Sequence, residues 1–138
     1  MVDRLMYLLD TNVLIEVLLG QERSDEVKRF LEATPSAQLH LTDFSLYSIG
    51  ILMVREKRGA AFQSFLDDTL LGGKMNMIAL SPRDLEQGIR TAERNRLDFD
   101  DAYQAVAAEK HDLTVVSFDS HFDKTERGRK TPAQATKI

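Results

Sequence analysis

Short apolar runs alternate along this chain with segments whose apolar residues recur every three or four positions. The short runs predict buried strands, and the periodic segments predict helices. The predicted strands are 5–10, 39–42, 75–81 and 113–119. The predicted helices are 11–20, 24–34, 44–57, 60–73, 81–95 and 100–111. Because strands and helices alternate, the pattern predicts an α/β fold of three layers, α/β/α, with helices on both faces of a central, mostly parallel sheet.

Two of the predicted strands end in an acidic residue, Asp10 in the first and Asp119 in the last. In parallel sheets, ligand sites gather beyond the carboxyl ends of the strands. If these two strands are neighbours, their terminal carboxylates face one pocket.

The stretch LDFDD, residues 97–101, crowds three carboxylates into one turn ahead of a helical segment. Acidic residues are favourable at helix starts, so we expect Asp100 to cap the helix and Asp101 to occupy the first helical position. One acid would suffice for capping, however. Asp101 also shares a helix face with Ala105 and Ala108, and small side chains there would let the helix approach the sheet. Asp101 would then converge on the two strand-end acids.

Three converging carboxylates repel one another unless they are protonated or bridged by a cation. Mg²⁺ prefers oxygen ligands of this kind, and Mn²⁺ suits the same ligands. Such an ion polarises a phosphate oxygen and activates water for attack at phosphorus. The set Asp10, Asp101 and Asp119 therefore indicates hydrolysis of phosphodiester bonds, with Mg²⁺ or Mn²⁺ as the cofactor.

Composition limits the classes of protein that need to be considered. The chain has 138 residues and no cysteine, which excludes disulfide scaffolds and thiolate metal sites. We expect a single domain over residues 1–122 and a polar, basic tail over 123–138. The net charge is −4, and the tail contributes five Lys or Arg against two acids, so the domain itself carries −7. An acidic body opposes nucleic-acid binding, although bound cations would offset its carboxylates.

The chain shows no pattern for export or membrane insertion. Asp3, Asp10 and Glu16 interrupt the apolar N-terminus, which argues against a signal peptide. The uncharged run at residues 44–54 is well below the roughly 20 residues that span a bilayer. We therefore expect a cytoplasmic protein with no membrane partner. The run at 44–54 predicts a fully buried helix, and any apolar surface left over would suit a homodimer.

Two segments carry a resemblance to a known family. LLDTNVLI near the N-terminus and DFDDAYQAVAAEKHDLTVVSFDSHF near the C-terminus resemble PIN-domain ribonucleases, which include the VapC-like toxins of bacterial toxin–antitoxin pairs. The resemblance extends up to Phe122. It implies a PIN-like fold, a metal-dependent endoribonuclease acting on RNA, an antitoxin as protein partner and a homodimer. It also implies that Asp10, Asp101 and Asp119 bind metal and act in catalysis.

The same resemblance implies supporting roles and shows one departure. Thr11, Asn12 and Ser117 match polar positions that hold carboxylates or water. Many members carry a glutamate in the helix after the second strand, where this chain has Ser48. Asp43, at the start of that helix, is a further catalytic candidate that would supply the missing carboxylate. It would equally serve as a helix cap, and both interpretations stay open.

Two rival classes deserve comparison. A phosphatase of the haloacid-dehalogenase type would need a second acid two positions after the first, where this chain has Asn12. A non-catalytic PIN-like module, binding RNA or a protein through a weakened metal site, is the stronger alternative, favoured by Ser48 and the acidic body. His121 would contact a phosphate or lie in a solvated loop. The basic segment 124–130 would likewise contact RNA or be solvated.

Overall fold

The computed structural model of the chain describes residues 5–136 and contains one parallel sheet of four strands. The strands are β1 (Tyr7–Leu9), β2 (Leu39–Thr42), β3 (Asn76–Ile78) and β4 (Thr114–Val116). The helices are α1 (Thr11–Leu18), α2 (Ser24–Ala33), α3 (Asp43–Arg55), α4 (Gly59–Asp68), α5 (Asp84–Asn95), α6 (Phe99–His111) and α7 (Pro132–Thr136). Short 3₁₀ helices lie at Ser36–Gln38 and Ser120–Lys124. The strand order is β3-β2-β1-β4, and every neighbouring pair is parallel.

The alternation of side chains along β1 divides the core into two halves. Tyr7 and Leu9 point to one face, where they pack among residues of α1 to α4. Leu8 points to the other face and packs with Ala107, Ala108 and other residues around α6. Helices thus cover both faces of the sheet, and the predicted three-layer α/β/α architecture is confirmed.

Two predicted elements end earlier in the structure than expected, and a side chain hydrogen-bonds to the backbone near each of these ends. The helix predicted over 60–73 ends at Asp68, where the Thr69 hydroxyl donates to the Phe65 carbonyl at 2.6 Å. The strand predicted over 75–81 ends at Ile78, and the Leu80 N–H donates to the Tyr103 hydroxyl at 3.0 Å instead of to a strand. Sequence periodicity does not show such side-chain competition.

The segment just before α5 is held by reciprocal hydrogen bonds between Ser81 and Asp84. The Ser81 N–H and hydroxyl donate to the Asp84 carboxylate at 2.9 and 3.0 Å, and the Asp84 N–H donates to the Ser81 hydroxyl at 3.2 Å. This reciprocal pairing satisfies amide groups that the first turn leaves without helical partners. Lys110 of α6 adds an ion pair to Asp84 at 2.6 Å, which ties the two helices together.

The segment after Phe122 lies against the sheet and α2. Val116 and Lys130 form a parallel bridge, and Pro132, the first residue of α7, is buried. The Ala133 N–H donates to the Glu26 carboxylate at 3.0 Å. The sequence predicts no helix or strand in this segment, because the hydrogen bonds that hold it are made by backbone groups, which leave no pattern in its polar side chains.

The helix predicted to be fully buried is not. Ile49 and Met53 of α3 are completely buried, but Tyr47, Ile51 and Val54 are 62, 61 and 65% exposed. The three exposed residues lie on one side of the helix, so α3 presents an apolar strip to its surroundings. Along residues 5–136, no helix combines the length and apolar character needed to cross a membrane.

Candidate metal centre

The carboxyl ends of β1 and β4 meet at one edge of the sheet. The strands pair directly, with Leu9 opposite Val116, and the Asp10 N–H continues the ladder by donating to the Val116 carbonyl at 3.0 Å. A pocket of about 420 Å³ opens beyond these ends. Its lining residues are Asp10, Thr11, Asn12, Ile15, Phe44, Ser48, Asp100, Asp101, Gln104 and Asp119. The structure thus brings together the three acids that the sequence singled out.

Asp10 is held in place by neutral hydrogen-bond donors. One carboxylate oxygen, Oδ1, accepts from the Thr11 N–H at 2.9 Å and from Gln104 Nε2 at 3.1 Å. The other, Oδ2, accepts from the Ser117 hydroxyl at 2.7 Å. The residue is only 7% exposed, and burial raises the pKa of Asp10 above its usual value, because the charged form loses hydration.

Asp101, Asp119 and His121 form one of two clusters of metal-ligating side chains among the described residues, and Asp98, Asp100 and Asp101 form the other. Within each cluster every residue offers one ligand atom, and these atoms lie within 4.8 Å of one another. His121 Nδ1 is 3.4 Å from Asp101 and 3.2 Å from Asp119, while the imidazole is 55% exposed. The sequence left two interpretations of His121 open, a phosphate contact or a solvated loop residue. In the structure His121 lies at the exposed rim of the acidic cluster.

Burial and the neighbouring carboxylates raise the pKa of Asp101 to about 6. Burial contributes most, followed by repulsion from Asp100, Asp119 and Asp10, and the bond to His121 offsets part of the rise. Like charges at this spacing disfavour the charged form of Asp101. A bound cation would remove that penalty, because it compensates several carboxylates at once.

The prediction that Asp100 caps α6 is wrong. The first helical residue is Phe99, two positions before Asp101, and the capping position is Asp98, whose backbone is extended. The Ala102 N–H donates to the Asp98 carbonyl at 3.0 Å, so the first turn of the helix closes on Asp98 and not on Asp100. Asp98 makes no side-chain capping bond. Asp100 and Asp101 are consequently the second and third helical residues, and both line the pocket.

Ser48 lines the acidic pocket, whereas Asp43, the candidate for the missing carboxylate, makes hydrogen bonds at the start of α3. Asp43 is the first residue of α3, and its carboxylate accepts from the Phe44 N–H at 2.8 Å and from the Tyr103 hydroxyl at 2.6 Å. Among the described residues, those lining the pocket include Ser48 but not Asp43. The structure therefore gives Asp43 a hydrogen-bonding role at the helix start, and Ser48 faces the acids.

The polar residues next to the acids form a continuous, partly buried network. The Thr11 hydroxyl donates to the Ser45 hydroxyl at 2.8 Å. Asn12 Nδ2 donates to the Ser117 hydroxyl at 3.3 Å, and its Oδ1 accepts from the Phe118 N–H at 3.4 Å. Asn12 and Ser117 thereby connect the ends of β1 and β4.

Gln104 is the central residue that the sequence analysis missed. Its Nε2 donates to Asp10 and, at 2.9 Å, to the Ser45 hydroxyl, while its Oε1 accepts from the Thr42 hydroxyl at 2.8 Å. Gln104 follows Asp101 by three positions on α6, which puts both side chains on the same side of the helix. The sequence did contain one signal for Gln104, because an amide side chain follows Asp101 by three positions on the same helix face.

These observations can be compared with known proteins. A family model, described as the PIN domain, matches residues 7–128, which is most of the chain. The chain belongs to the PIN domain family. The resemblance that the two sequence segments indicated is therefore confirmed. PIN domains are in general nucleases that use divalent metals, and the acidic cluster of this chain could hold such an ion.

Solved structures with the same fold come from several bacteria. A toxin–antitoxin complex from Klebsiella pneumoniae is 23% identical, with 91% of this chain and 97% of that chain covered and a TM-score of 0.72. FitAcB from Neisseria gonorrhoeae is 22% identical, with 92% and 98% covered and a TM-score of 0.71. VapBC2 from Rickettsia felis, bound to a promoter DNA fragment, is 14% identical, with 91% and 97% covered and a TM-score of 0.66. At these identities the likeness shows the fold alone. No curated protein matches the chain.

Proposed function

We propose that this PIN domain is a Mg²⁺- or Mn²⁺-dependent endoribonuclease that hydrolyses RNA phosphodiester bonds. The observation that carries the proposal is the convergence of Asp10, Asp101 and Asp119 in one pocket at the carboxyl edge of the sheet. Their oxygens are hard donors suited to these cations. Nothing else in the pocket lining supplies a compensating positive charge, because none of the described lining residues is Lys or Arg.

Each acid has a distinct task in this proposal. Asp101 and Asp119 would hold the cation directly, since their carboxylates already lie close together. Asp10 would complete the site from the end of β1, where hydrogen bonds from Ser117 and Gln104 hold its carboxylate in place. When bound, the cation supplies charge for the phosphate oxygens and makes water a better nucleophile at neutral pH.

The pocket walls bear on the substrate. Ile15 and Phe44 supply apolar surface beside the acids, and Phe44 packs against Tyr103 with ring centroids 5.3 Å apart. An aromatic ring beside a phosphate-binding centre can stack on a nucleobase of an unpaired strand. Single-stranded or looped RNA is therefore the substrate form that the pocket suits best.

An antitoxin and a second copy of the chain are the proposed protein partners. The support for an antitoxin is the fold shared with a chain of the Klebsiella toxin–antitoxin complex. The support for a homodimer is the apolar strip of Tyr47, Ile51 and Val54 on α3, which would lose contact with water in a dimer. A cytoplasmic location follows from this proposal, since the RNA substrates are there. Sedimentation velocity of wild type and Ile51→Glu tests the dimer, which the charged variant should dissociate.

Cleavage of a mixed RNA pool tests the nuclease proposal. Wild type should cut RNA when Mg²⁺ or Mn²⁺ is present, and a chelator should stop the reaction. Asp10→Asn and Asp119→Asn should each lose activity at least a hundredfold, because each removes a ligand charge from the site. Asp67→Asn is the matched control, since Asp67 is an exposed acid whose carboxylate accepts a hydrogen bond from Gln63 of its own helix. Equal activity in all variants would refute the proposal.

The second candidate function is a non-catalytic module that binds RNA or protein. Ser48 favours it, because a hydroxyl occupies the pocket where the family resemblance implies a glutamate. A well-folded wild type that binds RNA but does not cut it with either metal would support this function. Restored cutting by Ser48→Glu would then identify the missing carboxylate as the cause.

A further inference from the structure

The segment around residue 130 pairs with the open edge of β4 through an isolated parallel bridge. The Lys130 N–H donates to the Val115 carbonyl at 2.9 Å, and the Ser117 N–H donates to the Lys130 carbonyl at 2.9 Å. Val116 and Lys130 are paired in a parallel bridge. The backbone of Ser117, which directly follows β4, is thus held by the C-terminal segment.

Arg129 holds the same residue from its carbonyl side. Arg129 Nη1 donates to the Ser117 carbonyl at 3.2 Å. Its Nε and Nη2 donate to the two carboxylate oxygens of Asp123 at 3.2 and 3.3 Å. The side chain is only 17% exposed, and this fork of donors fixes the orientation of the guanidinium.

Ser117 passes this constraint to two of the acids in the pocket. The residue is completely buried, and its hydroxyl donates to Asp10 at 2.7 Å. The same hydroxyl accepts from the Asp119 N–H at 2.9 Å. A shift of the Ser117 backbone would therefore move the bonds that orient both Asp10 and Asp119.

We propose that Arg129 is a positioning residue for the metal centre, acting through Ser117 on the spacing of Asp10 and Asp119. The inference rests on the proposed metal-dependent function. The family match ends at residue 128, so the role follows from contacts of this chain alone. Sub-ångström placement of ligands decides cation affinity, because divalent ions tolerate little variation in ligand distance.

Arg127 provides a matched control two positions earlier. It also donates to a carboxylate, Asp112, and to a main-chain carbonyl, Leu113, both at 3.0 Å. Neither of these partners lines the acidic pocket. An effect of Arg127→Ala would measure what a tail arginine contributes to the fold in general, and an excess effect of Arg129→Ala would measure positioning.

The experiment measures Mn²⁺ affinity by titrating the full-length chain with Mn²⁺ and monitoring the free ion by electron paramagnetic resonance. Melting temperatures are measured in parallel. Arg129→Ala should weaken Mn²⁺ binding about tenfold, and Arg127→Ala should stay within about twofold of wild type. Arg129→Lys should recover part of the affinity, since it keeps one donor for the Ser117 carbonyl. Unchanged affinity in Arg129→Ala, or equal losses in both alanine variants, would overturn the proposal.

A double-mutant cycle with Ser117→Ala tests the route of the effect. If Arg129 acts through Ser117, Arg129→Ala should change Mn²⁺ affinity less than twofold in the Ser117→Ala background. A full tenfold loss there would overturn the route. Should Arg129→Ala fail to fold, Asp123→Asn releases the guanidinium from its carboxylate and should weaken binding in the same direction; no weakening would count against the proposal.

The readout separates this inference from the nuclease proposal. Mn²⁺ affinity is measured without RNA. A wild type that binds Mn²⁺ and cuts no RNA refutes the nuclease proposal alone, and the variants still decide the role of Arg129. A wild type that binds no Mn²⁺ overturns both.

Discussion

Replacing Asp101 with asparagine should make the metal-free protein more stable while weakening cation binding. Burial and the neighbouring acids raise the pKa of Asp101 from 3.8 to about 6, which means that the fold resists the charge on this side chain. Asparagine has the same shape and no charge. The variant therefore removes the repulsion, and it keeps an oxygen that can accept a hydrogen bond.

The magnitude follows from the pKa difference between the folded and unfolded chain. A shift from 3.8 to about 6 corresponds to about 3 kcal/mol, at 1.36 kcal/mol for each pKa unit. Because the pocket is open to water and the side chain keeps 11% exposure, we expect roughly half of that, ~1.5 kcal/mol. The folded state binds more protons than the unfolded state between these two pKa values. Stability of the wild type should therefore fall as pH rises from about 4 to about 6.

Urea denaturation at fixed protein concentration measures this difference. Without metal, the free energy of unfolding of Asp101→Asn should exceed that of wild type by ~1.5 kcal/mol at pH 8, and the two should agree below about pH 3, where the carboxyl is protonated in the folded and the unfolded chain. Mg²⁺ at ten times its dissociation constant should stabilise wild type by ~1.4 kcal/mol and the variant by less. Asp67→Asn should show neither effect. A variant less stable than wild type at pH 8, or a difference that persists at acidic pH, would refute the reasoning.

Three further predictions follow from single side chains. Ser48→Glu should tighten Mg²⁺ binding in calorimetry, because it adds a carboxylate to the pocket lining, and the uncharged Ser48→Gln should not. Gln104→Ala should lower the free energy of unfolding in urea by ~2–4 kcal/mol, since it opens a cavity and leaves buried partners without a bond, whereas the exposed Gln63→Ala should cost less than ~0.5 kcal/mol. Tyr103→Phe should lower the free energy of unfolding, measured by thermal unfolding, by ~1–2 kcal/mol, because the Tyr103 hydroxyl bonds both Asp43 and the Leu80 N–H. RNA cleavage by this variant should change little. A cleavage loss as large as that of Asp10→Asn would show that Asp43 belongs to the reacting site.

The sequence allowed the acidic site to be predicted because parallel strands all end at one edge of the sheet. An acid after β1 and another after β4 needed only that these strands be neighbours, and the order β3-β2-β1-β4 makes them so. The helix that follows an acidic turn supplied Asp101. The first residue of α6 was misplaced by two positions, because three acids within one turn offer several capping positions and periodicity does not distinguish between them.

The supporting network could not be predicted, because its members are distant in the sequence. Gln104 bonds Thr42 across 62 positions and Asp10 across 94. The contact between Arg129 and Ser117 depends on a main-chain carbonyl, which every residue possesses and no motif marks. Propensity and periodicity describe one element at a time, whereas these contacts depend on how elements pack against each other.

The kind of donor around Asp10 has a consequence for cation binding. A lysine or arginine would hold a buried carboxylate more strongly than a hydroxyl or an amide, but it would also neutralise the charge that attracts the ion. Ser117, Gln104 and the Thr11 N–H orient Asp10 and leave its negative charge in place. The raised pKa values of Asp10 and Asp101 are the cost of that arrangement in the metal-free protein. The charged side chain that positions the site, Arg129, instead contacts Ser117 from behind, at its carbonyl, and forms its ion pair with Asp123. Neutral donors therefore orient the Asp10 carboxylate without cancelling its charge, and the cationic Arg129 contacts the backbone of Ser117 and not the carboxylate. Both features suit the proposed binding of a divalent cation, which needs fixed ligands and uncompensated negative charge.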